Sequence, residues 1–184
     1  MAKLYFRYGT VSSAKTLNLL AVAHNYRNQG KQILIVKPRL DTRFGEKAVT
    51  SRAGLTVEAD VLVSEQSASF DVRGGTSCIL VDEAQFIPIE TIDYLRFITI
   101  ERNVPAICYG LRTDFQRRLF PASERLLALA DAIEEVKTTC HYCNKKAIYN
   151  ARIHYGQHVM DGPQVLLGAD DVYRPVCAHH YDDA

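Results

Sequence analysis

The chain contains the stretch Gly9-Thr10-Val11-Ser12-Ser13-Ala14-Lys15-Thr16 between a short apolar segment and a helical pattern. It follows the phosphate-binding pattern G-x-x-x-x-G-K-[ST] except at Ala14, where the pattern has its second glycine. In such a loop, backbone N–H groups and the N-terminus of the following helix bind phosphate oxygens. These eight residues therefore predict a nucleoside triphosphate site, with Lys15 at the outer phosphates and the Thr16 hydroxyl on Mg²⁺.

Ala14 leaves two interpretations open. An alanine fits the loop if its φ is negative, but it adopts a positive φ only with strain. The same turn can also be a plain structural connection with a solvated Lys15. The sequence alone does not decide whether Ala14 weakens nucleotide binding.

A second motif, Ile79-Leu80-Val81-Asp82-Glu83, is an apolar strand that ends in two carboxylates. This is the Walker B form, in which the first carboxylate holds Mg²⁺. The second can accept a proton from an attacking hydroxyl or water. The alternative is a charged strand end that faces solvent, and the phosphate-loop pattern makes that alternative weaker.

Apolar runs of strand length alternate with helical patterns along most of the chain. We expect strands at 4–6, 33–36, 78–81, 104–109 and 134–138, and helices at 16–28, 89–102 and 123–133. The polar stretch 37–54 is predicted to be a mobile loop, and 153–168 a long irregular loop. Alternating strands and helices indicate an α/β fold with a mainly parallel sheet.

Two pairs of metal-binding residues lie in the last quarter of the chain. Cys140 and Cys143 form one pair, and Cys177 with His180 forms the other; His179 is the alternative fourth ligand. Such spacing predicts a closed, structural Zn²⁺ site. We therefore place a nucleotide-binding core at residues 1–138 and a small zinc domain at 139–184.

Composition excludes some classes of protein. The 184 residues are 47% hydrophobic, with a formal net charge of +1. Near neutrality argues against a nucleic-acid binder that depends on bulk positive charge. The chain lacks an apolar run of membrane-spanning length and a signal-peptide pattern, so we expect a cytoplasmic location and no membrane partner.

The chain resembles the type II thymidine kinase family over nearly its whole length. The residues that carry the resemblance are the Tyr8–Thr16 loop, Asp41-Thr-Arg43-Phe44, Ser51-Arg52, Val81-Asp-Glu-Ala-Gln-Phe86, Tyr109-Gly-Leu-Arg-Thr-Asp-Phe115, Phe120, Cys140-x-x-Cys143, Gly168-Ala-Asp170, Tyr173 and Val176-Cys-x-x-His180-Tyr181. It implies a P-loop, RecA-like core with a zinc-held lasso, and transfer of the γ-phosphate of ATP to the 5′-hydroxyl of thymidine.

The resemblance also implies roles for single residues. Glu83 is expected to accept the proton of the 5′-hydroxyl, and Arg43 to approach the transferred phosphate beside Asp41. Asp82 and Gln85 join the ATP and Mg²⁺ site. The implied thymidine pocket consists of Phe86, Leu111, Phe115, Phe120, the lasso residues Gln164, Val165, Leu166, Leu167 and Gly168, and Tyr173.

Further expectations follow from the same resemblance. The implied product is thymidine monophosphate, a DNA precursor made by nucleotide salvage, with thymidine triphosphate (dTTP) as a feedback inhibitor and a homotetramer as the assembly. Val11 and Asn150 depart from the methionine and threonine frequent in the family. Two alternatives stay open: a P-loop ATPase of nucleic-acid metabolism, and a thymidine-binding homologue that Ala14 has weakened.

Overall fold

The computed structural model of the chain describes residues 1–164 and 171–182. Its helices are α1 (Lys15–Asn28), α2 (Ile89–Glu101), α3 (Pro121–Leu129) and α4 (Ala178–Asp182). Its strands are β1 (Leu4–Tyr8), β2 (Gln32–Pro38), β3 (Ala48–Thr50), β4 (Thr56–Glu58), β5 (Val61–Val63), β6 (Thr76–Val81), β7 (Ala106–Gly110), β8 (Ala132–Glu135), β9 (Tyr149–His154), β10 (Gln157–His158) and β11 (Asp171–Val176). A 3₁₀ turn spans Ala84–Phe86.

The central sheet has six strands in the order β5-β2-β6-β7-β1-β8, and every neighbouring pair is parallel. The predicted α/β class with a mainly parallel sheet is confirmed. Its inner strands are continuous apolar runs because helices and loops cover both faces of a parallel sheet. In β6, the four residues Cys78–Val81 are fully buried.

One edge of this sheet positions the functional segments. The phosphate loop follows β1, the Asp82-Glu83 pair follows β6, and residues 111–115 follow β7. Ligands of open parallel sheets bind outside the carboxyl ends of the strands. Three segments that are distant in sequence therefore meet at this edge.

The C-terminal part has its own small core. Strands β10, β9 and β11 form an antiparallel sheet, and α4 contacts β9 and β11. Apolar residues of this part cluster separately from the two clusters of the large sheet: Cys140, Ala151, Ile153, Val176, Cys177 and Tyr181. The domain division at 138/139 stays a prediction that this clustering favours.

The helix predicted at 123–133 ends earlier, and the last strand begins earlier. α3 ends at Leu129, and Ile133 belongs to β8, which pairs with β1. The Asp131 carboxylate accepts a hydrogen bond from the Leu4 N–H at 2.8 Å, and the Asp131 N–H donates to the Leu4 carbonyl. Pairing with a distant strand thus overrides a helical pattern, as tertiary contacts often do.

Two predicted loops are wrong in part. Within 37–54, β2 continues to Pro38, and β3 begins an antiparallel hairpin with β4. Within 153–168, β9 and β10 form a second hairpin. The strands β3, β4, β5 and β10 have only two or three residues each, which is too short to show an alternating pattern of apolar residues, so the sequence did not predict them.

Among the described residues, no helix is long and apolar enough to cross a bilayer.

Candidate active site and zinc centre

The phosphate loop is folded around its own lysine. Lys15 Nζ donates to the Thr10 carbonyl at 2.7 Å, the Gly9 carbonyl at 3.2 Å and Ser13 Oγ at 3.3 Å. Burial lowers the pKa of Lys15 to about 8, although the charges of Glu83 and Asp82 act in the opposite direction. The ammonium therefore lies at the sheet edge among carbonyls that a phosphate group can replace as its partners.

Two positions show how closely the loop is packed. A Cβ at Gly9 would lie 2.4 Å from the Val136 carbonyl oxygen and from Ser13 Oγ, so only glycine fits there. Ala14 has φ +62° and ψ +26°, in the left-handed region. This backbone conformation favours the glycine of the pattern, and Ala14 adopts it at a cost of about 1–2 kcal/mol.

The start of α1 suits an anion. Within the described residues, no side chain caps this helix, and its first turn contains no acidic residue. Its N–H groups and the helix dipole therefore point toward the space where the phosphate loop opens.

Asp82 lies beside the Thr16 hydroxyl, which donates to its carboxylate oxygens at 3.2 and 3.3 Å. Burial, and next the nearby charge of Glu83, raise the pKa of Asp82 above its usual value. A buried carboxylate next to a hydroxyl, with no ion pair to a described residue, is the donor set that Mg²⁺ prefers. Thr16 and Asp82 thus fit the predicted Mg²⁺ position.

Glu83 has both carboxylate oxygens engaged. Oε1 accepts a short hydrogen bond from Arg43 Nη2, and Oε2 accepts one from Gln85 Nε2 at 2.6 Å. Its backbone is also left-handed, with φ +47° and ψ +43°. Such outliers cluster at functional sites, and this one turns the carboxylate away from the strand toward Arg43.

Arg43 connects Glu83 to a buried pair. Its Nε donates to Asp41 Oδ1 at 2.7 Å, and Asp41 lies 3.5 Å from Lys37 Nζ. Burial opposes the ionisation of Asp41, but the hydrogen bond and charge of Arg43, with the charge of Lys37, lower its pKa. The predicted neighbours Asp41, Arg43 and Glu83 are therefore linked in one chain of charges.

Gln85 is buried and spans two segments. Its side-chain Nε2 donates to Glu83, and its side-chain Oε1 accepts a hydrogen bond from the Leu111 N–H at 2.9 Å. A Cβ at Gly110 would lie 2.8 Å from that same oxygen, so glycine permits the approach. In this arrangement Gln85 holds Glu83 against the end of β7; its predicted contact with nucleotide stays a prediction.

Two of the aromatic residues predicted for the base pocket are in contact with each other. Phe86 and Phe120 meet edge to face at 5.6 Å, and Phe120 and Phe115 are both buried. The Arg152 guanidinium lies 5.0 Å from the centre of the Phe115 ring. Leu111 and Tyr173 are half-buried. Their predicted contacts with thymidine stay predictions.

Asn150 and Gln164 connect the C-terminal part to the core. The side-chain Oδ1 of Asn150 accepts a hydrogen bond from the Val11 N–H at 2.8 Å, and its Nδ2 donates to the Thr113 carbonyl at 3.2 Å. Gln164 donates to Asp114 at 3.0 Å. The other predicted lasso residues, Val165, Leu166, Leu167 and Gly168, lie outside the described residues.

Cys140, Cys143, Cys177 and His180 come together as predicted, and His179 lies outside the cluster. The four ligand atoms lie within 4.8 Å of one another. The Sγ atoms of Cys143 and Cys177 are 3.9 Å apart, and His180 Nδ1 lies 3.4 Å from the sulfur of Cys177 and 3.5 Å from that of Cys140. Tetrahedral Zn²⁺ with Zn–S bonds of about 2.3 Å places sulfur atoms about 3.8 Å apart.

The chemistry of these thiols also fits a metal. Burial opposes the ionisation of Cys140, but hydrogen bonds from backbone N–H groups and His180 lower its pKa below that of an ordinary thiol. Cys78, in contrast, is buried in β6, and burial raises its pKa to about 11. The Cys140 thiol is therefore suited to act as a thiolate ligand, whereas Cys78 is a core side chain.

The sequence did not single out Lys37 or Arg152. Lys37 is 1% exposed and donates to the Ala48 carbonyl at 2.9 Å. The position of Lys37 directly after the apolar run 33–36 could have indicated that this lysine lies at the end of a buried strand. For Arg152, an arginine inside a strand of a small domain gave no comparable signal.

Comparison with known proteins agrees with this geometry. A family model described as thymidine kinase matches residues 2–181. A thymidine kinase of Lactobacillus acidophilus is 44% identical, covering 98% of this chain and 96% of the relative. Thymidine kinases of Streptococcus pyogenes serotype M3 and Lactococcus lactis subsp. lactis are 43% and 45% identical, each covering 98% of this chain and 97% of the relative.

Proposed function

The chain belongs to the thymidine kinase family, and from this membership we propose that it transfers the γ-phosphate of ATP to the 5′-hydroxyl of thymidine. The observation that carries the proposal is the meeting of the Lys15 loop, the Thr16–Asp82 pair and Glu83 at one sheet edge. Phosphoryl transfer needs positioning and charge stabilisation more than covalent chemistry. That arrangement offers both.

The nucleotide side of the reaction involves the loop from Gly9 to Thr16. We propose that its N–H groups and Lys15 bind the β- and γ-phosphates, while Thr16 and Asp82 hold Mg²⁺. When bound, Mg²⁺ supplies neutralisation of phosphate charge. Lys15 exchanges its present carbonyl partners for phosphate oxygens, which favours its protonated form.

On the acceptor side, Glu83 accepts the proton of the thymidine 5′-hydroxyl as the oxygen attacks phosphorus. Arg43 moves from Glu83 to the transferred phosphoryl group, because a free carboxylate oxygen is needed to take the proton. Asp41 keeps the guanidinium oriented during this exchange. The hydrogen bond from Gln85 leaves one oxygen of Glu83 fixed while the other becomes available.

The pocket for the base lies between the core and the zinc part in this proposal. Phe115 stacks on thymine, Phe86, Leu111 and Phe120 complete the apolar wall, and Tyr173 with the segment 164–168 closes over the nucleoside. The zinc ion has a structural role, since its four protein ligands leave no open position. Thiolate ligands suit a reducing compartment, so we propose the cytoplasm as its location.

Inhibition by dTTP and a homotetrameric assembly remain proposals that rest on family membership. The P-loop ATPase alternative is not favoured by the comparisons, because the family model covers the chain from residue 2 to 181. The alternative of a homologue weakened by Ala14 is not favoured either, since relatives named thymidine kinase match 98% of this chain.

One assay separates these functions. Purified protein is incubated with ATP, Mg²⁺ and thymidine, with and without DNA, and thymidine monophosphate and free phosphate are quantified. The proposal predicts one thymidine monophosphate per ATP consumed, without an effect of DNA. Free phosphate released without thymidine and increased by DNA would contradict it, and binding of thymidine without any product would favour the weakened homologue.

A further inference from the structure

Arg52 lies at the rim of the phosphate loop although it is distant in sequence. Its Nη1 donates to Ser12 Oγ at 2.7 Å, and the two residues are 40 positions apart. Arg52 belongs to the turn that joins β3 to β4, and its side chain is exposed. This turn therefore carries a guanidinium to the place where the proposed nucleotide phosphates bind.

The turn that presents Arg52 is held by its own hydrogen bonds. The Leu55 N–H donates to Ser51 Oγ at 3.2 Å, the Ser51 N–H donates to the Leu55 carbonyl at 2.8 Å, and the Gly54 N–H donates to the Ser51 carbonyl at 3.0 Å. Ser51 is 4% exposed. Arg52 thus extends from a structured turn, which limits the entropy lost when its side chain binds a ligand.

The charge of Arg52 is not used elsewhere. Arg43 is paired with Asp41 and Glu83, and Arg39 is paired with Glu46 at 2.8 Å. Within residues 1–164 and 171–182, Arg52 makes no ion pair, and its recorded partner is the neutral Ser12 hydroxyl. Burial is the main cause of the lowered pKa of Lys15, and the charge of Arg52 is close enough to act in the same direction. An anion between Lys15 and Arg52 would relieve this repulsion.

We propose that Arg52 is a further catalytic residue, which exchanges Ser12 for the donor phosphates and stabilises the leaving nucleoside diphosphate. As the 5′-oxygen bonds to the γ-phosphorus, the bond from that phosphorus to the β–γ bridging oxygen breaks. The electron pair stays on the diphosphate, and the proton of the 5′-hydroxyl goes to Glu83. Negative charge therefore increases on the side where Arg52 lies.

In this proposal, Arg43 and Arg52 act on different sides of the transferred phosphoryl group. Arg43 contacts Glu83, so it lies on the acceptor side, whereas Arg52 contacts Ser12 in the loop that holds the leaving group. A guanidinium offers several donors in one plane and binds phosphate through two of them at once. Arginines that stabilise a transferring phosphoryl group accelerate the reaction by about 10³–10⁵.

The inference rests on the proposed kinase activity, and the experiment separates the two. Steady-state kinetics with ATP and thymidine compare the wild type with Arg52→Ala, Arg52→Lys and Arg39→Ala, an exposed arginine whose partner is Glu46. We expect Arg52→Ala to lower kcat by about 10² or more, with the KM for thymidine within about twofold of the wild type. Arg52→Lys should lose less, Arg39→Ala should match the wild type, and millimolar guanidinium ion should partly restore Arg52→Ala.

Calorimetry of ADP binding without thymidine gives a second measurement that does not depend on turnover. Arg52→Ala should bind ADP more weakly than the wild type, and Arg39→Ala should bind it equally. An active wild type whose Arg52→Ala variant keeps kcat within about threefold would overturn the role of Arg52. So would a variant that loses thermal stability and thymidine affinity together, since that pattern marks a structural role. A wild type that makes no thymidine monophosphate would instead contradict the proposed function.

Discussion

Ala14 occupies a backbone conformation that favours glycine. Its φ of +62° places Cβ against the neighbouring carbonyl, at a cost of about 1–2 kcal/mol. Ser12, with φ +61°, has the same kind of backbone in the same loop. The phosphate loop therefore retains strain in the described conformation, and the surrounding fold has to offset it.

Replacing this alanine by glycine should stabilise the protein. Relief of the strain outweighs the extra freedom of glycine in the unfolded chain, so we expect Ala14→Gly to raise the free energy of unfolding by up to about 1 kcal/mol. Ala21→Gly, at an exposed position inside α1, is the matched control and should lower it by about 0.5–1 kcal/mol. Denaturant unfolding of both variants measures the difference, and destabilisation by Ala14→Gly would show that Ala14 is not strained.

Lys15 should make nucleotide binding depend on pH. Burial lowers its pKa from the usual value to about 8, so the ammonium is mostly charged at pH 7 and loses its proton as the pH rises through 8. A terminal phosphate is already ionised there, since its second pKa is about 6. The affinity for ADP should therefore change little near pH 7 and fall progressively as the pH rises through 8.

Calorimetric titrations of ADP between pH 7 and pH 9.5 test this expectation. The Lys15→Met variant, which has no ammonium, should bind ADP weakly and with little change over the same range. A wild-type affinity that is flat to pH 9.5 would mean that Lys15 does not act as a cation toward the phosphates.

We propose that zinc orders the C-terminal sheet. Its candidate ligands come from the segment before β9, from Cys177 directly after β11 and from His180 in α4, so an ion there would join the two ends of the part that contains β9, β10 and β11. Structural zinc contributes about 10–16 kcal/mol to small domains.

Cys143→Ser should therefore lower zinc content and thymidine affinity more than ATP affinity. Metal analysis should find one zinc per chain in the wild type and less in the variant. His179→Ala, next to the ligand His180, should keep its zinc. Equal losses of thymidine and ATP affinity in Cys143→Ser would argue against a separate role for the zinc part.

Elements with a strong local signal were predicted from the sequence, and elements that depend on distant partners were not. Buried runs such as Cys78–Val81 are recognisable because every residue is apolar. The hairpin β3–β4 is not, since its polar strands form against each other and only Val49 is buried. The predicted end of α3 was wrong because residues 132 and 133, which continue the helical pattern, pair with β1 as part of β8.

The same distinction holds within the site. The four zinc ligands and the Lys15 loop follow fixed spacings, which chain geometry alone enforces. The contact of Asn150 with the Val11 N–H joins residues 139 positions apart, and the contact of Arg52 with Ser12 joins residues 40 apart. Sequence spacing does not predict such contacts, because the two residues come together only when the sheet has formed.

In the whole molecule, the functional segments meet at one edge of the central sheet. The sheet places the ends of β1, β2, β6 and β7 side by side, and the zinc part attaches through Asn150, Gln164 and the contact of Tyr181 with the Phe115 carbonyl. The phosphate-binding groups lie on the core, and the residues proposed to close over the nucleoside belong to the zinc part. We therefore expect the two substrates to approach Glu83 from different sides.

The central claim is that Glu83 takes the proton of the thymidine hydroxyl. The most direct test is the turnover number of Glu83→Gln with saturating ATP and thymidine, with Glu134→Gln, an exposed carboxylate paired with Arg7, as the control. The amide keeps the shape of the side chain but cannot accept the proton, so kcat should fall by about 10²–10⁴ while Glu134→Gln stays at the wild-type rate. A Glu83→Gln variant that retains kcat within about threefold of the wild type would contradict the claim.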